Sequence, residues 1–258
     1  MRDYHVHSNY SDGAFLFGMI AAAEDAGLDA VGVADHCILP ASERQRHNRN
    51  AVGFTLDATH ERRRAAINRL DERHDLEVYD AVEMDYDTRA EENIADFLAD
   101  AGFDYAIGSV HSVDDTFVQW DGEFADMDDG ELDAFVDDYY DALVALVESE
   151  LFAIAAHPDL VERTESLRGR STVDHYRRVA DAFTDSRTVP ELNAGRALRD
   201  IGVVHPADEF LEALLDRGVD VTLGTDAHAP EELGPRADFL SERVADLGTD
   251  PISPFDTV

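Results

Sequence analysis

The sequence contains no lysine: its 21 basic residues are all arginine, set against 57 acidic residues for a formal charge of 21 − 57 = −36 over 258 residues. A chain so poor in cations is no polynucleotide scaffold and no ligand for an anionic membrane, because both need Lys and Arg to neutralise phosphates. There is one cysteine, Cys37, which excludes an internal disulfide framework and a cysteine-built zinc knuckle. Its thiol reads as a small buried hydrophobe. No run approaches ~18 uninterrupted apolar residues, so no transmembrane helix is expected. The start, Met-Arg-Asp-Tyr-His, enters strand-like sequence without a signal-peptide pattern. A soluble, cytoplasmic protein is the expectation. Apolar residues are not scarce: at 44% hydrophobic content the chain can build a core. Carboxylates at this density repel one another at low ionic strength, whereas at molar salt the Debye length falls to roughly 3 Å and the repulsion is screened. A halophilic, salt-rich cytoplasm is the simplest setting.

No repeat, low-complexity tract or linker interrupts the chain, so residues 1–258 read as one domain. Short apolar runs alternate with longer amphipathic segments. Strands are predicted at Tyr4–His7, Ala30–Ala34, Leu76–Val82, Tyr105–Val110, Phe152–Ala156, Val189–Asn193 and Asp220–Gly224. Helices are predicted at Leu16–Ala26, Leu56–Arg73, Arg89–Ala101, Leu132–Ser149, Val173–Thr184, Ala207–Arg217 and Arg236–Leu247. Glycine marks several helix ends, as at Gly27, Gly102 and Gly218. Such alternation implies a parallel sheet covered by helices, and seven units suggest a barrel like the (β/α)₈ fold, short of one unit or distorted. A doubly wound open sheet is the alternative, weakened by the lack of a Gly-x-Gly-x-x-Gly after the first strand.

The 11 histidines are unevenly placed. His5 and His7 share one side of the first strand as His-x-His. Asp12 follows in Ser11-Asp12-Gly13, and His36 lies just past the second strand in Asp35-His36. Glu83 ends the third strand, and His111 follows the fourth in Gly108-Ser109-Val110-His111. His157 follows the fifth in His157-Pro158-Asp159, and Asp226 and His228 follow the seventh in Asp226-Ala227-His228. These groups gather at the C-terminal ends of strands, where barrel enzymes place their chemistry. Six imidazoles and three carboxylates on one rim need a cation to satisfy them, and neutral imidazole with carboxylate suits zinc, manganese or iron. The lack of thiolate ligands favours an open catalytic site over a closed structural one. Nine ligands allow two or three ions, and two ions ~3.5–4 Å apart need a bridge, for which Glu83 is placed. Asp35, Asp85, Ser109 and Asp159 sit beside these groups and are expected to orient imidazoles or to serve as ordinary turn and cap residues. His47, His60, His74, His175 and His205 lie away from predicted strand ends and are given no site role.

In this combination and order the motifs, from Tyr4-His5-Val6-His7 to Asp226-Ala227-His228, resemble those of the PHP family, named for polymerase and histidinol phosphatase. The resemblance implies a distorted (β/α)₇, TIM-like barrel binding two to three divalent ions and hydrolysing phosphate esters. It further implies that His5, His7, Glu83 and Asp226 hold the first ion, Glu83, His111 and His157 the second, and Asp12, His36 and His228 the third. Some members carry histidine in place of Asp12. Within the family, the likeness is greatest to the histidinol-phosphate phosphatase branch. Pro190-Glu191-Leu192-Asn193-Ala194-Gly195-Arg196 resembles its Glu-x-Asn-x-x-Gly-x-Arg pattern, one residue shorter on each side of Gly195.

The expected function is therefore a metal-dependent phosphomonoesterase acting on histidinol phosphate, in which a metal-bridging hydroxide attacks phosphorus in line. Glu83, Asp226, His228 and Arg196 are the expected catalytic groups, with Arg196, Arg163 and Asn193 binding substrate. Asp114 and Asp115, after His111, are placed either to pair with the substrate's ammonium or to belong to the generally acidic surface and touch nothing. The only expected partner is a small phosphorylated substrate, with nucleic acid entering solely as something to be cleaved. Three alternatives stay open: a PHP phosphodiesterase or nucleotide phosphatase, including 3′–5′ oligonucleotide hydrolysis; an amidohydrolase, a class whose usual bridging lysine is absent here; and a non-enzymatic metal-binding or regulatory protein. From the charge of −36 the melting temperature is expected to rise markedly between low and molar potassium chloride. A flat or falling curve over that range would refute the salt-rich setting.

Overall fold

The computed structural model describes residues 1–256. Seven parallel strands form the body of the sheet in the order β1 (Arg2–Val6), β2 (Ala30–Cys37), β3 (Glu77–Asp85), β4 (Tyr105–Ser109), β7 (Ile154–Ala155), β8 (Val189–Arg196) and β10 (Thr222–Gly224). A hairpin, β5 (Ser112–Val113) and β6 (Thr116–Phe117), follows β4, and β9 (Val203–His205) lies antiparallel on β8. The helices are α1 (Leu16–Asp25), α2 (Glu43–Val52), α3 (Leu56–Asp71), α4 (Glu91–Ala101), α5 (Asp129–Glu148), α6 (Val173–Thr184), α7 (Asp208–Leu215) and α8 (Pro230–Leu247). None is long and apolar enough to cross a membrane among the described residues.

The sheet curls until its edges meet. Beyond β1 and β10 a parallel bridge joins Val6 to Ala227, with Asp226 N donating to His5 O at 2.8 Å and His7 N to Ala227 O at 2.9 Å. This is the expected distorted seven-unit barrel. Along β3 the pleat alternates: Val82 and Met84 pack into the main outer core, whereas Tyr79 and Ala81 belong to the small cluster inside the barrel with Tyr4, Tyr105 and Ile107. Glu83 continues that inward set towards the rim. The register of β1 on β2 shifts between Asp3 and Val6, and such a shift re-aims side chains beside a site.

The departures from the predicted elements have local causes. The second helix, α2, was not expected because it carries no apolar stripe: Gln45 is its one buried residue. Its ends are instead set by the Ser42 side chain, which accepts from Gln45 N, and by Gly53 at φ 80°. At α5 the start moves back from Leu132 to Asp129, because Asp128 and Glu131 form a reciprocal cap. Similarly, α8 begins at Pro230 rather than Arg236 and carries Pro235 inside it, a residue with no backbone N–H to donate. The strand expected at Phe152–Ala156 is regular only at Ile154–Ala155, and β9 and the β5–β6 hairpin were not anticipated.

One buried ion network ties the helical layer to the rim. Arg63 on α3 has no exposed surface and donates to Asp35 at 2.9 Å, to Asp80 at 2.7 Å and to Ala81 O. Asp35 in turn accepts from Ser8 N and Ser8 Oγ, both at 2.7 Å, and from Ser11 Oγ at 2.8 Å. Removing the cation would leave buried Asp35 without a cationic partner and Asp80 with Arg64 alone, so Arg63→Ala is expected to cost about 3–5 kcal/mol in urea unfolding at molar salt. A loss under about 1 kcal/mol would show that the network is not coupled to folding.

Candidate metal centre

The closing bonds between β1 and β10 bring His5 and His7 against Asp226, although more than two hundred residues of chain lie between. The Nε2 atoms of His5 and His7 are 3.0 Å apart, and His7 Nε2 lies 3.4 Å from Asp226 Oδ1. In the next strands, register does the same work: His36 is directly opposite Glu83, and Asp85 opposite Ser109.

Glu83 has no exposed surface and is ringed by five imidazoles. Its Oε2 lies 2.8 Å from His36 Nδ1, 3.3 Å from His5 Nε2 and 3.5 Å from His7 Nε2. Its Oε1 lies 3.0 Å from His157 Nε2 and 3.4 Å from His111 Nε2, and accepts the Ser109 hydroxyl. On the solvent side, Asp12 lies 3.7 Å from His7 Nδ1, 3.8 Å from His36 Nε2 and 3.4 Å from His228 Nε2. Three groups of converging ligand atoms emerge: His5, His7 and Glu83; His36, Glu83 and His111; and His7, Asp12, His36 and His228. Seven of the nine expected ligands fall in these groups; the other two lie beside them, His157 at Glu83 and Asp226 at His7. His36 faces both Glu83 and Asp12, however, where the family pattern sets it with Asp12 and His228.

The electrostatics are those of a mutually dependent cluster. Burial by itself would raise Glu83, but His36, His5 and His111 hold its carboxyl well below the usual carboxylate range. Burial opposes charge on His36 too, yet Glu83 and Asp12 push it up to about 10. Burial, with His228 and His36 close by, pushes His7 down to about 4. Backbone strain marks two of these residues: His157 and Asp226 adopt φ of 30° and 51°, which few L-residues do without being forced. Close approach explains two glycines of the motifs. A Cβ at Gly13 would sit 2.5 Å from the His7 carbonyl, and one at Gly195 would sit 2.4 Å from Asp226 Oδ2.

Behind the ligands, a second layer fixes their orientation. Asp85 Oδ1 meets His111 Nδ1 at 2.7 Å, and Ser109 bonds Glu83. Of the other two expected orienting groups, Asp35 holds the Ser8–Ser11 turn rather than an imidazole. Asp159 is bonded at 2.6 Å to His205, not to His157. Sequence reasoning missed Glu191, which meets His5 Nδ1 at 2.7 Å and also accepts from His157 N and Asn193 Nδ2. Its place within the strand motif Pro190-Glu191-Leu192-Asn193 was the available signal: the pleat puts Glu191 and Asn193 on the same face.

A cavity of about 280 Å³ opens over the cluster, and four arginines line it: Arg163, Arg196, Arg199 and Arg236. The Arg196 side chain makes no hydrogen bond among the described residues. Burial and neighbouring Arg163 lower its pKa, a sign of its partly enclosed, cationic surroundings. Arg163 donates to Asp226 Oδ2 at 3.1 Å and to Asn193 Oδ1 at 3.2 Å. Asn193 is fully buried behind the cavity wall, bonded to Glu191, Gly195 N and Arg163. A side hollow of about 190 Å³ shares Asp12, His36, His111 and Gln119 with the first. It is walled by Phe54, Phe117 and Trp120, with Asn48 and Asp85 supplying polar atoms. The two aspartates that could have met an ammonium lie elsewhere. Asp114 and Asp115 form the turn of the β5–β6 hairpin at φ 46° and 71°, and Asp115 is engaged by Arg89 and Ser42.

Comparison with known proteins agrees with this architecture. The model of the PHP domain family matches residues 3–195. A probable histidinol-phosphatase of Deinococcus radiodurans is 25% identical over 173 residues, which span 67% of this chain and 66% of that protein. The crystal structure of histidinol phosphate phosphatase from Lactococcus lactis, complexed with zinc, L-histidinol and phosphate, superposes with a TM-score of 0.72 at 20% identity, covering 94% of this chain and 92% of the other. That of a putative histidinol phosphatase from Listeria monocytogenes gives 0.70 at 16% identity, over 91% and 97%. With three quarters of its length matched by the family model, and every motif of the rim in place, the chain belongs to the PHP domain family.

Proposed function

We propose that the protein is a metal-dependent phosphoric monoester hydrolase whose substrate is histidinol phosphate. The observation that carries this reading is a buried carboxylate ringed by imidazoles beneath a cavity lined by arginines. The residues fit divalent cations. Glu83 Oε2 and His36 Nδ1 are both buried, make no hydrogen bond, and are held 2.8 Å apart. Two electron-pair donors so placed suit a shared cation, and the all-nitrogen-and-oxygen donor set suits zinc, manganese or iron. The nine rim ligands would hold two to three such ions, with Glu83 common to two of the groups. Bound there, the ions supply Lewis acidity and a water of lowered pKa for attack on phosphorus.

The chain's own groups do the rest. Asp226 is held at both ends, Oδ1 beside His7 and His228 and Oδ2 by Arg163, so its orientation is set before substrate arrives. Arg196 presents a guanidinium fork to the phosphoryl oxygens, and Arg163 presents the Nη1 edge that its contacts to His205, Asn193 and Asp226 leave free. The side hollow receives the alcohol. Phe54, already stacked on His36 with ring centres 4.9 Å apart, and the stacked pair Phe117 and Trp120 offer faces to a flat ring. Asp85 and Asp12 supply negative charge for an ammonium, and the unpartnered buried Asn48 Nδ2 offers a donor. The matched relatives support this substrate, since histidinol phosphatases are found among both the curated and the structural matches. A nucleotide is the second reading, because the same aromatic walls would stack on a base. The acidic, lysine-free composition supports a salt-rich cytoplasm as the setting of this activity.

Protein purified with metal present should carry two to three divalent ions per chain by elemental analysis; fewer than one would exclude a multinuclear centre. Glu83→Gln should remain folded by circular dichroism and lose more activity than Arg196→Ala, for which the loss of a charged contact worth ~1.5–3 kcal/mol predicts roughly a 10–100-fold fall in kcat/KM. Near-normal turnover by Glu83→Gln would remove the bridging role. At matched salt and metal, kcat/KM should be higher for histidinol phosphate than for nucleoside monophosphates or short oligonucleotides. Faster turnover of a nucleotide would move the chain to the nucleotide-cleaving branch with its metal ligands unchanged.

A further inference from the structure

The segment after β7 supplies three groups within seven residues: the ligand His157, then Asp159, then Arg163 at the end of a 3₁₀ turn, Leu160–Arg163. The antiparallel pair β8–β9 grips this segment, with Asn193 paired to His205 across the two strands. Each of these partners takes one nitrogen of Arg163: Nε donates to His205 Nε2 at 2.8 Å, and Nη2 to Asn193 Oδ1 at 3.2 Å. Nη1 makes no hydrogen bond among the described residues, and Arg163 lines the cavity.

The donor–acceptor logic determines the state of His205. A guanidinium can only donate, so His205 Nε2 must offer its lone pair. The ring proton is then on Nδ1, 2.6 Å from Asp159 Oδ1, while Asp159 Oδ2 accepts from Ala207 N at 2.7 Å. A cationic ring would set N–H against N–H. Burial lowers the pKa of His205 despite Asp159, in keeping with a neutral ring. His205 and Asp159 have no exposed surface, and neither lines the cavity. Arg196, by contrast, is untethered.

We propose that His205, held as its Nδ1–H tautomer by Asp159, is a positioning residue that fixes Arg163 with its free Nη1 edge towards the phosphoryl group. The proposal rests on the phosphoesterase reading, because Arg163 has an anion to meet only if the cavity takes one. Pre-ordering a long side chain removes an entropy loss that would otherwise fall on binding. Arg163 then acts as the rigid jaw of the clamp and Arg196 as the mobile one.

Two variants and two readouts test it. His205→Leu removes the acceptor at similar volume, whereas His205→Gln keeps an acceptor near the Nε2 position. For the zinc-loaded protein, calorimetry should show inorganic phosphate binding about 10–100-fold more weakly in His205→Leu, and within about threefold of wild type in His205→Gln. Without metal, nitrogen-edited spectra should show a slowly exchanging Arg163 Nε–H in wild type and His205→Gln, and fast exchange in His205→Leu. Should His205→Leu fail to fold, the wild-type ring decides: a protonated Nδ1 with a bare Nε2 supports the tether, and the opposite tautomer overturns it. Unchanged phosphate affinity in a folded His205→Leu overturns the role of His205 alone. Zinc-loaded wild type that binds no phosphate overturns the phosphoesterase reading as well, and wild type that binds phosphate yet spares histidinol phosphate overturns only the substrate.

Discussion

A carboxylate without contact to water stands at the end of the third strand, and the surrounding architecture follows from the need to keep it charged. Glu83 is fully buried, and a buried carboxylate is stable only when opposite charge or good donors surround it. His36, His5 and His111 supply that charge and His157 a hydrogen bond, from β1, the end of β2 and the loops after β4 and β7. At two of these imidazoles the other nitrogen is also directed, by Glu191 at His5 and by Asp85 at His111. The strained backbone at His157 and Asp226 belongs to the same demand, since both loops must turn back sharply to aim a ligand at the centre.

The distribution of arginine is the second organising feature. On a chain of −36 with 21 arginines, most guanidinium groups bridge surface carboxylates, as Arg44 does with Glu123 and Arg178 with Asp141, pairs worth little individually. Two departures matter. Arg63 is sunk beneath α3, where it anchors Asp35 and through it the turn that carries Asp12. Arg163, Arg196, Arg199 and Arg236 converge on a single cavity beside the carboxylates of Asp12, Glu83 and Asp226. Salt that screens the exterior leaves contacts enclosed in that cavity less affected.

Much of the site was legible because its signals are local. His5-Val6-His7, Ser11-Asp12-Gly13, Asp35-His36, Val110-His111, His157-Pro158 and Asp226-Ala227-His228 each lie at or just beyond a strand end, and strand ends show as breaks in apolar runs. Glu191 and His205 escaped notice because one is a buried acid in mid-strand and the other sits on a short antiparallel strand with no apolar run of its own. Arg199 and Arg236 were equally silent: arginines in a loop and a helix look like any other solvated residue until the chain folds over them. The helix α2, polar on all sides, offered no period to detect.

The sequence by itself determined the class of chemistry, because metal-binding residue types recurring after successive strands admit few other uses, and it determined the barrel through seven alternations of strand and helix. Tertiary structure decided which ligands share a cation-sized space, and it did so through two contacts at a distance. Closure of β1 on β10 presses His7 against Asp226, and the register of β2 on β3 sets His36 opposite Glu83, where it serves two groups at once. It also decided which acid serves which imidazole, giving Glu191 to His5 and Asp159 to His205. A motif states that a side chain stands at a rim; only the curvature and register of the sheet bring particular nitrogen and oxygen atoms within a few ångströms of one another, and coordination depends on that distance.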